Sequence, residues 1–210
     1  RRKEMRFVDL CSGIGGFRLG LSALGHECVY SCEIDRHACE AYEANYGHAP
    51  ESNDVMALTS SALPPHELVV CGFPCRTFSR AGSCTCDMSL IKHVVQTVCA
   101  GEQTRFLMLE NTSTFPTVGG GGSYRELLAI LYGAGFDEVH DAVYCVADVT
   151  GLPQPRKRWL CVAARGNGAG VLDAHVPVAP VPVDKRMVIS DVLCSPADWA
   201  PRKHALYLPD

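Results

Sequence analysis

Short apolar runs alternate along this chain with segments in which apolar residues return every three or four positions. Residues 5–10 form the first run, and a glycine-rich turn follows at 11–16. Residues 17–24 then place Phe17, Leu21 and Leu24 on one helical face. Residues 28–34 predict a second strand, closed by Glu33 and Asp35, and residues 37–46 a second helix with Gly47 as its stop. Residues 68–71 predict a buried strand, 90–99 a helix, 106–109 a strand and 124–132 a helix before Gly133 and Gly135. Residues 139–146 and 159–164 complete the pattern as two last strands, the second entered through 153–158. Strands separated by helices of about ten residues predict an α/β fold with a doubly wound, mostly parallel sheet. Ligands in such sheets sit beyond the carboxyl ends of the strands.

With 210 residues, 47% hydrophobic and 20% charged, the chain has material for one substantial core. That core is expected over residues 1–165, as a cofactor-binding and catalytic domain. Residues 166–210 are expected to be a linker and C-terminal extension: 166–170 are glycine-rich, 176–183 alternate valine or alanine with proline, and 187–193 could form one short element. No apolar run approaches the roughly 20 residues of a membrane span. The basic opening, Arg1-Arg2-Lys3, leads straight into a strand-like segment, so no signal peptide is expected.

Twelve cysteines scattered through apolar segments read as core filler in a reducing, intracellular compartment rather than as a disulfide scaffold. Cys84-Thr85-Cys86 has no companion pair at zinc spacing, and no metal is expected. The net charge of −4 argues against broad phosphate affinity. Any nucleic-acid contact must use a local basic surface or a partner.

Four clusters carry candidate chemistry. The first is Asp9-Leu10-Cys11-Ser12-Gly13-Ile14-Gly15-Gly16, a turn between strand and helix that lets a ligand approach the backbone. Alone it suits a nicotinamide cofactor, a flavin or S-adenosylmethionine, or is merely a tight connection. Glu33, about twenty residues on, is placed to hold ribose hydroxyls, and Asp54 is a third strand-end acid that could accept from an adenine amino group. The second is Gly72-Phe73-Pro74-Cys75-Arg76-Thr77-Phe78-Ser79, with a cysteine placed like a nucleophile just past a buried strand. The third is Glu110-Asn111-Thr112, an acid expected just beyond its strand and able to deliver a proton. The fourth is Gln154-Pro155-Arg156-Lys157-Arg158, whose alternate arginines share a side of an extended segment.

In this order the clusters resemble the cytosine-C5 methyltransferases, from about Arg6 to Arg165 and weakly on to Leu193. The resemblance implies that Cys75 attacks C6 of a cytosine in DNA and Glu110 protonates or hydrogen-bonds N3. It implies that Arg158, and less directly Arg156, hold O2 and support Glu110. It implies S-adenosylmethionine as cofactor, bound by Cys11, Ser12, Gly13, Gly15 and Gly16, with Glu33, Ile34, Asp54 and Val55 around its ribose and adenine.

The chain departs from that pattern in places. The segment 82–89 is short and lacks an Arg-Gly pair, Arg76 replaces a glutamine, and Cys11 stands where many members have an aromatic. The target-recognition domain and last two motifs have no counterpart, which leads us to expect a second chain that supplies recognition. A fragment of a complete enzyme, a scaffold subunit and an RNA-directed enzyme are the alternatives. A nicotinamide-dependent oxidoreductase is the distant one, since it leaves Cys75 and the arginines idle.

Overall fold

A computed structural model describes residues 4–74, 88–150 and 153–166. The apolar run Leu68–Cys71 is strand β3, and it lies inside the sheet with all four side chains buried, as a strand covered on both faces must. The order of elements is β1 (Arg6–Leu10), α1 (Gly16–Ala23), β2 (Glu27–Cys32), α2 (Arg36–Tyr46), β3 and α3 (Ser89–His93). There follow β4 (Phe106–Thr112), α4 (Gly122–Gly133), β5 (Glu138–Cys145), α5 (Val146–Thr150) and β6 (Lys157–Ala164). The six strands lie in the order β2-β1-β3-β4-β6-β5. Strand β1 runs parallel to β2 and β3, and β3 parallel to β4. Strand β6 runs antiparallel to β4, in register from Phe106↔Ala164 to Thr112↔Arg158.

Side-chain alternation sends each strand's apolar residues to two faces. Val8, Leu10, Val69, Cys71, Leu107 and Leu109 join the larger core with Ile91, Val94, Val95 and Val98 and with Leu127 and Leu131 of α4. Phe7, Leu68 and Val70 point the other way, toward Phe17 and Leu21 of α1. The sheet is therefore doubly wound and mostly parallel, as the sequence predicts. Helix α2 begins where Asp35 accepts from the Ala38 amide at 2.9 Å, and it ends at Gly47, whose φ of 79° only glycine adopts without strain.

The described residues divide into two compact units, the larger within Arg1–Tyr144 and Lys157–Val178 and the smaller within Cys145–Arg156 and Ala179–Asp210. In the smaller, the Val146 amide donates to the Arg156 carbonyl at 2.9 Å and the Ala147 amide to Gln154 at 3.1 Å.

Three expectations change. The helix over 90–99 is α-helical only at its start; Val94–Val98 widen into a π turn closed by the Cys99 amide on the Val94 carbonyl at 2.8 Å. Strand β4 runs past residue 109 to Thr112, because β6 pairs with it that far, so Glu110, Asn111 and Thr112 are in the strand rather than beyond it. Asp54 is not at a strand end. Only Ser52 bridges β2, through Cys32, and Pro50 just upstream has no amide to extend the pairing. Asp54 instead caps the 3-10 turn Val55–Ala57, accepting from the Met56 amide at 2.8 Å.

Arg165 fastens the end of β6. Its guanidinium donates to the carbonyls of Cys99 at 2.6 Å, Gly101 at 2.7 Å, Thr104 at 3.0 Å and Ala134 at 3.2 Å, and lies 4.4 Å from the centre of the Phe136 ring. Lysine cannot reproduce that planar fork. Arg165→Met and Arg165→Lys should each lower unfolding free energy by about 3 kcal/mol in urea titrations, since several carbonyls lose charged donors together. Losses within about 0.5 kcal/mol of zero would show the fork to be dispensable.

Candidate active site

The turn after β1 is held in an uncommon shape. Cys11, Gly13 and Gly15 all have positive φ, at 52°, 55° and 88°. The Ser12 amide donates to the Cys32 carbonyl at 3.0 Å, and the Tyr46 hydroxyl donates to the Gly15 carbonyl at 2.6 Å. A Cβ at Gly15 would run into the Tyr46 ring, so a side chain is excluded there twice over, by backbone and by space. At Gly13 a Cβ would meet nothing within 4 Å, which leaves the backbone open to a ligand.

Glu33 closes the turn from the end of β2. One oxygen accepts from the Gly13 amide at 2.7 Å, the other from the amides of Ile34 at 2.9 Å and Asp35 at 2.8 Å. The buried carboxylate thus ties the first glycine turn to the second strand end. Ile14 is 61% exposed, Ile34 76% and Met56 47%, while Val55 packs in the core. The Ser12 hydroxyl is buried without a hydrogen-bond partner. An open backbone, an orphaned hydroxyl, an anchored carboxylate and solvent-facing aliphatic side chains fit a nucleoside with a diol and a flat base whose faces pack on apolar groups. S-adenosylmethionine contains such a group, which the open backbone of residues 11–16, the Glu33 carboxylate and the Ile34 side chain would fit.

Beneath the turn, Asp9 is completely buried and neither oxygen has a hydrogen-bond partner. Burial pushes its pKa from 3.8 to about 7, against the pull of Arg18. Arg18 itself donates to the Tyr42 hydroxyl at 2.7 Å and lies 4.4 Å from the centre of the Tyr46 ring.

The second half of the site forms where β3, β4 and β6 meet. Arg158 Nε lies 2.8 Å from Glu110 Oε1, with both side chains partly exposed. A Cβ at Gly72 would sit 3.7 Å from Glu110 Oε2, 3.8 Å from the Cys11 carbonyl and 3.9 Å from the Phe17 ring. Gly72 is thus the point at which the glycine turn, the nucleophile motif and the Glu110–Arg158 pair converge. Buried Asn111 donates from Nδ2 to the Phe73 carbonyl at 3.1 Å and fixes the start of the nucleophile turn.

Cys75 and Arg76 lie outside the described residues, as do residues 82–87. Arg156 is exposed and belongs to the smaller unit. Several of the described thiols are poor nucleophiles. Burial pushes Cys28 and Cys32 up to about 11 and Cys99 and Cys161 up to about 12. Cys71 rises well above the ordinary thiol range through its contact with the Cys11 thiol and through burial. Among the described residues, no group of His, Cys, Asp and Glu could hold a metal ion, and no helix is long and apolar enough to cross a membrane.

The family model for C-5 cytosine-specific DNA methylases matches residues 5–199. The chain belongs to that family. It is 32% identical over 178 residues to the type II methyltransferase M.BsuFI of Bacillus subtilis, covering 83% of this chain and 42% of that one. It is 29% identical over 192 residues to M.HhaI of Haemophilus parahaemolyticus, covering 90% and 57%. The chain thus spans about half the length of these relatives. Among solved structures, Dnmt2 methyltransferase of S. pombe superposes with a TM-score of 0.70 at 21% identity, covering 90% of this chain and 61% of that one. The methyltransferase EhMeth of Entamoeba histolytica gives 0.72 at 15%, covering 92% and 61%. These two likenesses bear on the fold, which they share.

Sequence reasoning missed Asp9 as more than the head of a motif, and its total burial yields a test. The folded protein keeps the Asp9 proton up to about pH 7, while the unfolded chain releases it near 3.8. Folding therefore binds a proton across that window, and stability contributed by Asp9 falls as pH rises through it and levels off above. Urea unfolding at pH 5 and pH 8 should show a smaller loss between the two for Asp9→Asn than for the wild type. Equal losses would mean Asp9 ionises normally.

Proposed function

We propose that this chain transfers a methyl group from S-adenosylmethionine to C5 of cytosine in DNA, through a transient bond between Cys75 and C6. The observation that carries the reading is the Glu110–Arg158 pair beside Gly72, at the point where the glycine turn and the nucleophile motif meet. Cys75 is taken as the nucleophile on its motif, two residues after Phe73. Its thiolate adds to C6 while Glu110 hydrogen-bonds or protonates N3, which places the displaced electron pair at C5. The cofactor supplies an electrophilic methyl group to C5. Loss of the C5 proton to a base then lets the C6–sulfur bond break and restores the thiolate. Arg158, with Arg156, holds the cytosine O2, and Arg158 orients Glu110. Because C6 is shielded in a stacked duplex, the base must leave the helix at a cost of a few kcal/mol.

In this reading residues 1–165 are the catalytic domain and residues 166–210 an extension. Target recognition comes from outside these residues, from a partner chain or from the rest of a longer enzyme, because a net charge of −4 gives little phosphate affinity to repay that unstacking. An RNA substrate and a non-catalytic scaffold are outcomes of the tests below.

Calorimetry should detect S-adenosylmethionine or its demethylated product, with Glu33→Ala weakening binding about tenfold through lost hydrogen bonds to a charged acceptor. Binding of a nicotinamide dinucleotide and of neither methionine cofactor would overturn the cofactor assignment.

Covalent trapping on 5-fluorocytosine DNA should vanish in Cys75→Ser, and Glu110→Gln should slow labelled methyl transfer about a hundredfold or more. Retained trapping by the serine variant, with loss on changing Cys71 or Cys84, would reassign the nucleophile. The same assay on RNA, and with co-purifying proteins added, separates the alternatives: methylation of RNA alone would change the substrate, and sequence-specific DNA methylation by the isolated chain would refute the partner.

A further inference from the structure

We infer that Asp141, in β5, is a positioning residue for the Glu110–Arg158 pair and for the start of the nucleophile turn, and that it acts through Trp159. Asp141 Oδ2 accepts from the indole Nε1 of Trp159 at 2.6 Å, and Oδ1 accepts from the Tyr124 hydroxyl at 2.9 Å. Trp159 is the largest fully buried side chain among the described residues. Its indole is a donor only, and burial obliges it to find an acceptor. Asp141 is that acceptor, so one carboxylate sets the rotation of the largest buried ring among the described residues.

Two routes lead from that ring to the site. The first is through the backbone. Trp159 follows Arg158 directly, and β6 begins only at Lys157, so Arg158 sits in the first turn of pairing at a strand end. Asn111 pairs with Trp159 and Thr112 with Arg158 across β4 and β6. Successive side chains leave a strand on opposite faces, so Trp159 enters the core on the face of Asn111 while Arg158 projects on the face of Glu110. Holding the indole therefore fixes how the strand is rotated where Arg158 leaves it. The second route is through rings. The indole centroid lies 4.8 Å from that of Phe115, and Phe115 meets Phe73 edge-on at 5.3 Å. Phe73 is the residue whose carbonyl Asn111 holds. Tyr124 completes the clamp, edge-on to Trp159 at 6.3 Å. Burial, then the hydrogen bond and charge of Asp141, push its phenol up to about 12, so it remains a donor at neutral pH.

A purely structural Asp141 would change stability and nothing else. A positioning Asp141 changes turnover while leaving the cofactor turn, built on β1 and β2, untouched. The kinetic part of the test rests on the functional reading above. In the full chain, Asp141→Ala should lower kcat for methyl transfer about tenfold, as small misplacements of reacting groups do, with KM for S-adenosylmethionine within about twofold of the wild type. Trp159→Phe, which keeps a ring and removes the donor, should do the same, and the double variant should be no slower than the slower single one. Asp141→Asn, which keeps one acceptor at unchanged volume, should fall between. In 1H–15N spectra, where the chain has two tryptophan indole signals, Asp141→Asn should shift the Trp159 indole and the Asn111 side-chain amide and leave the Gly13 amide in place. Wild-type kcat in Asp141→Ala, additive losses in the double variant, or an unmoved Asn111 amide would overturn the inference. A wild-type chain without turnover would sink the functional reading instead, and the Asn111 signal alone would then decide the role of Asp141.

Discussion

The site depends on one backbone constraint, the antiparallel ladder between β4 and β6. In a fully parallel sheet each strand offers only its carboxyl end to the ligand edge, and a residue at the start of a strand lies on the far side. Reversing β6 brings its first residues to that edge, where register pairs Thr112 with Arg158 and Glu110 with Leu160. Arg158 and Glu110 are then two registers apart on one face, close enough for a 2.8 Å contact. The same ladder sets Asn111 opposite Trp159 on the other face, where both reach Phe73, one by hydrogen bond and one through Phe115. One pairing thus sorts the polar groups onto one face and their support onto the other.

Around the first turn the division is electrostatic. Glu33 satisfies three amides and ties two strand ends, beside open backbone at Gly13 and the exposed aliphatic side chains of Ile14 and Ile34. Asp9, two residues before Cys11, has no such set of donors, and burial outweighs the nearby Arg18 amide and charge to push its carboxyl up. Arg18 stacks on Tyr46, which in turn holds the Gly15 carbonyl, so the turn is pinned from above by aromatic contacts and from the side by a carboxylate. The chemistry of the two acids differs because their surroundings do.

Much of this was legible in the residues. Leu68–Cys71 could only be an interior strand, Gly47 could only close a helix cheaply, and the glycines after Leu10 announced an open turn. What local pattern could not show was anything decided by a distant partner. The extension of β4 to Thr112 comes from β6, almost fifty residues later, and not from the polar sequence Glu110-Asn111-Thr112, which by itself argues for leaving the strand. Asp54 misled for the opposite reason: its spacing suited a strand end, but a single bridge at Ser52 was all the pairing available. Asp141 carried no local signal at all. The only hint was Trp159, a ring that must find an acceptor once buried.

The order of strands has a consequence for how the chain acquires its structure during synthesis. Strand β5 precedes β6 in the sequence but lies outside it, so β5 has no neighbour until β6 is inserted between it and β4. Until then the backbone edge of β4, Phe106–Thr112, is uncovered and open to pairing with another chain. Sheet completion must therefore wait for the last described strand, and Arg165, whose carbonyl partners Cys99, Gly101 and Thr104 all precede β4, acts as the fastener that closes it. A nascent chain halted before Lys157, where β6 begins, would expose a sticky edge rather than a smaller folded protein.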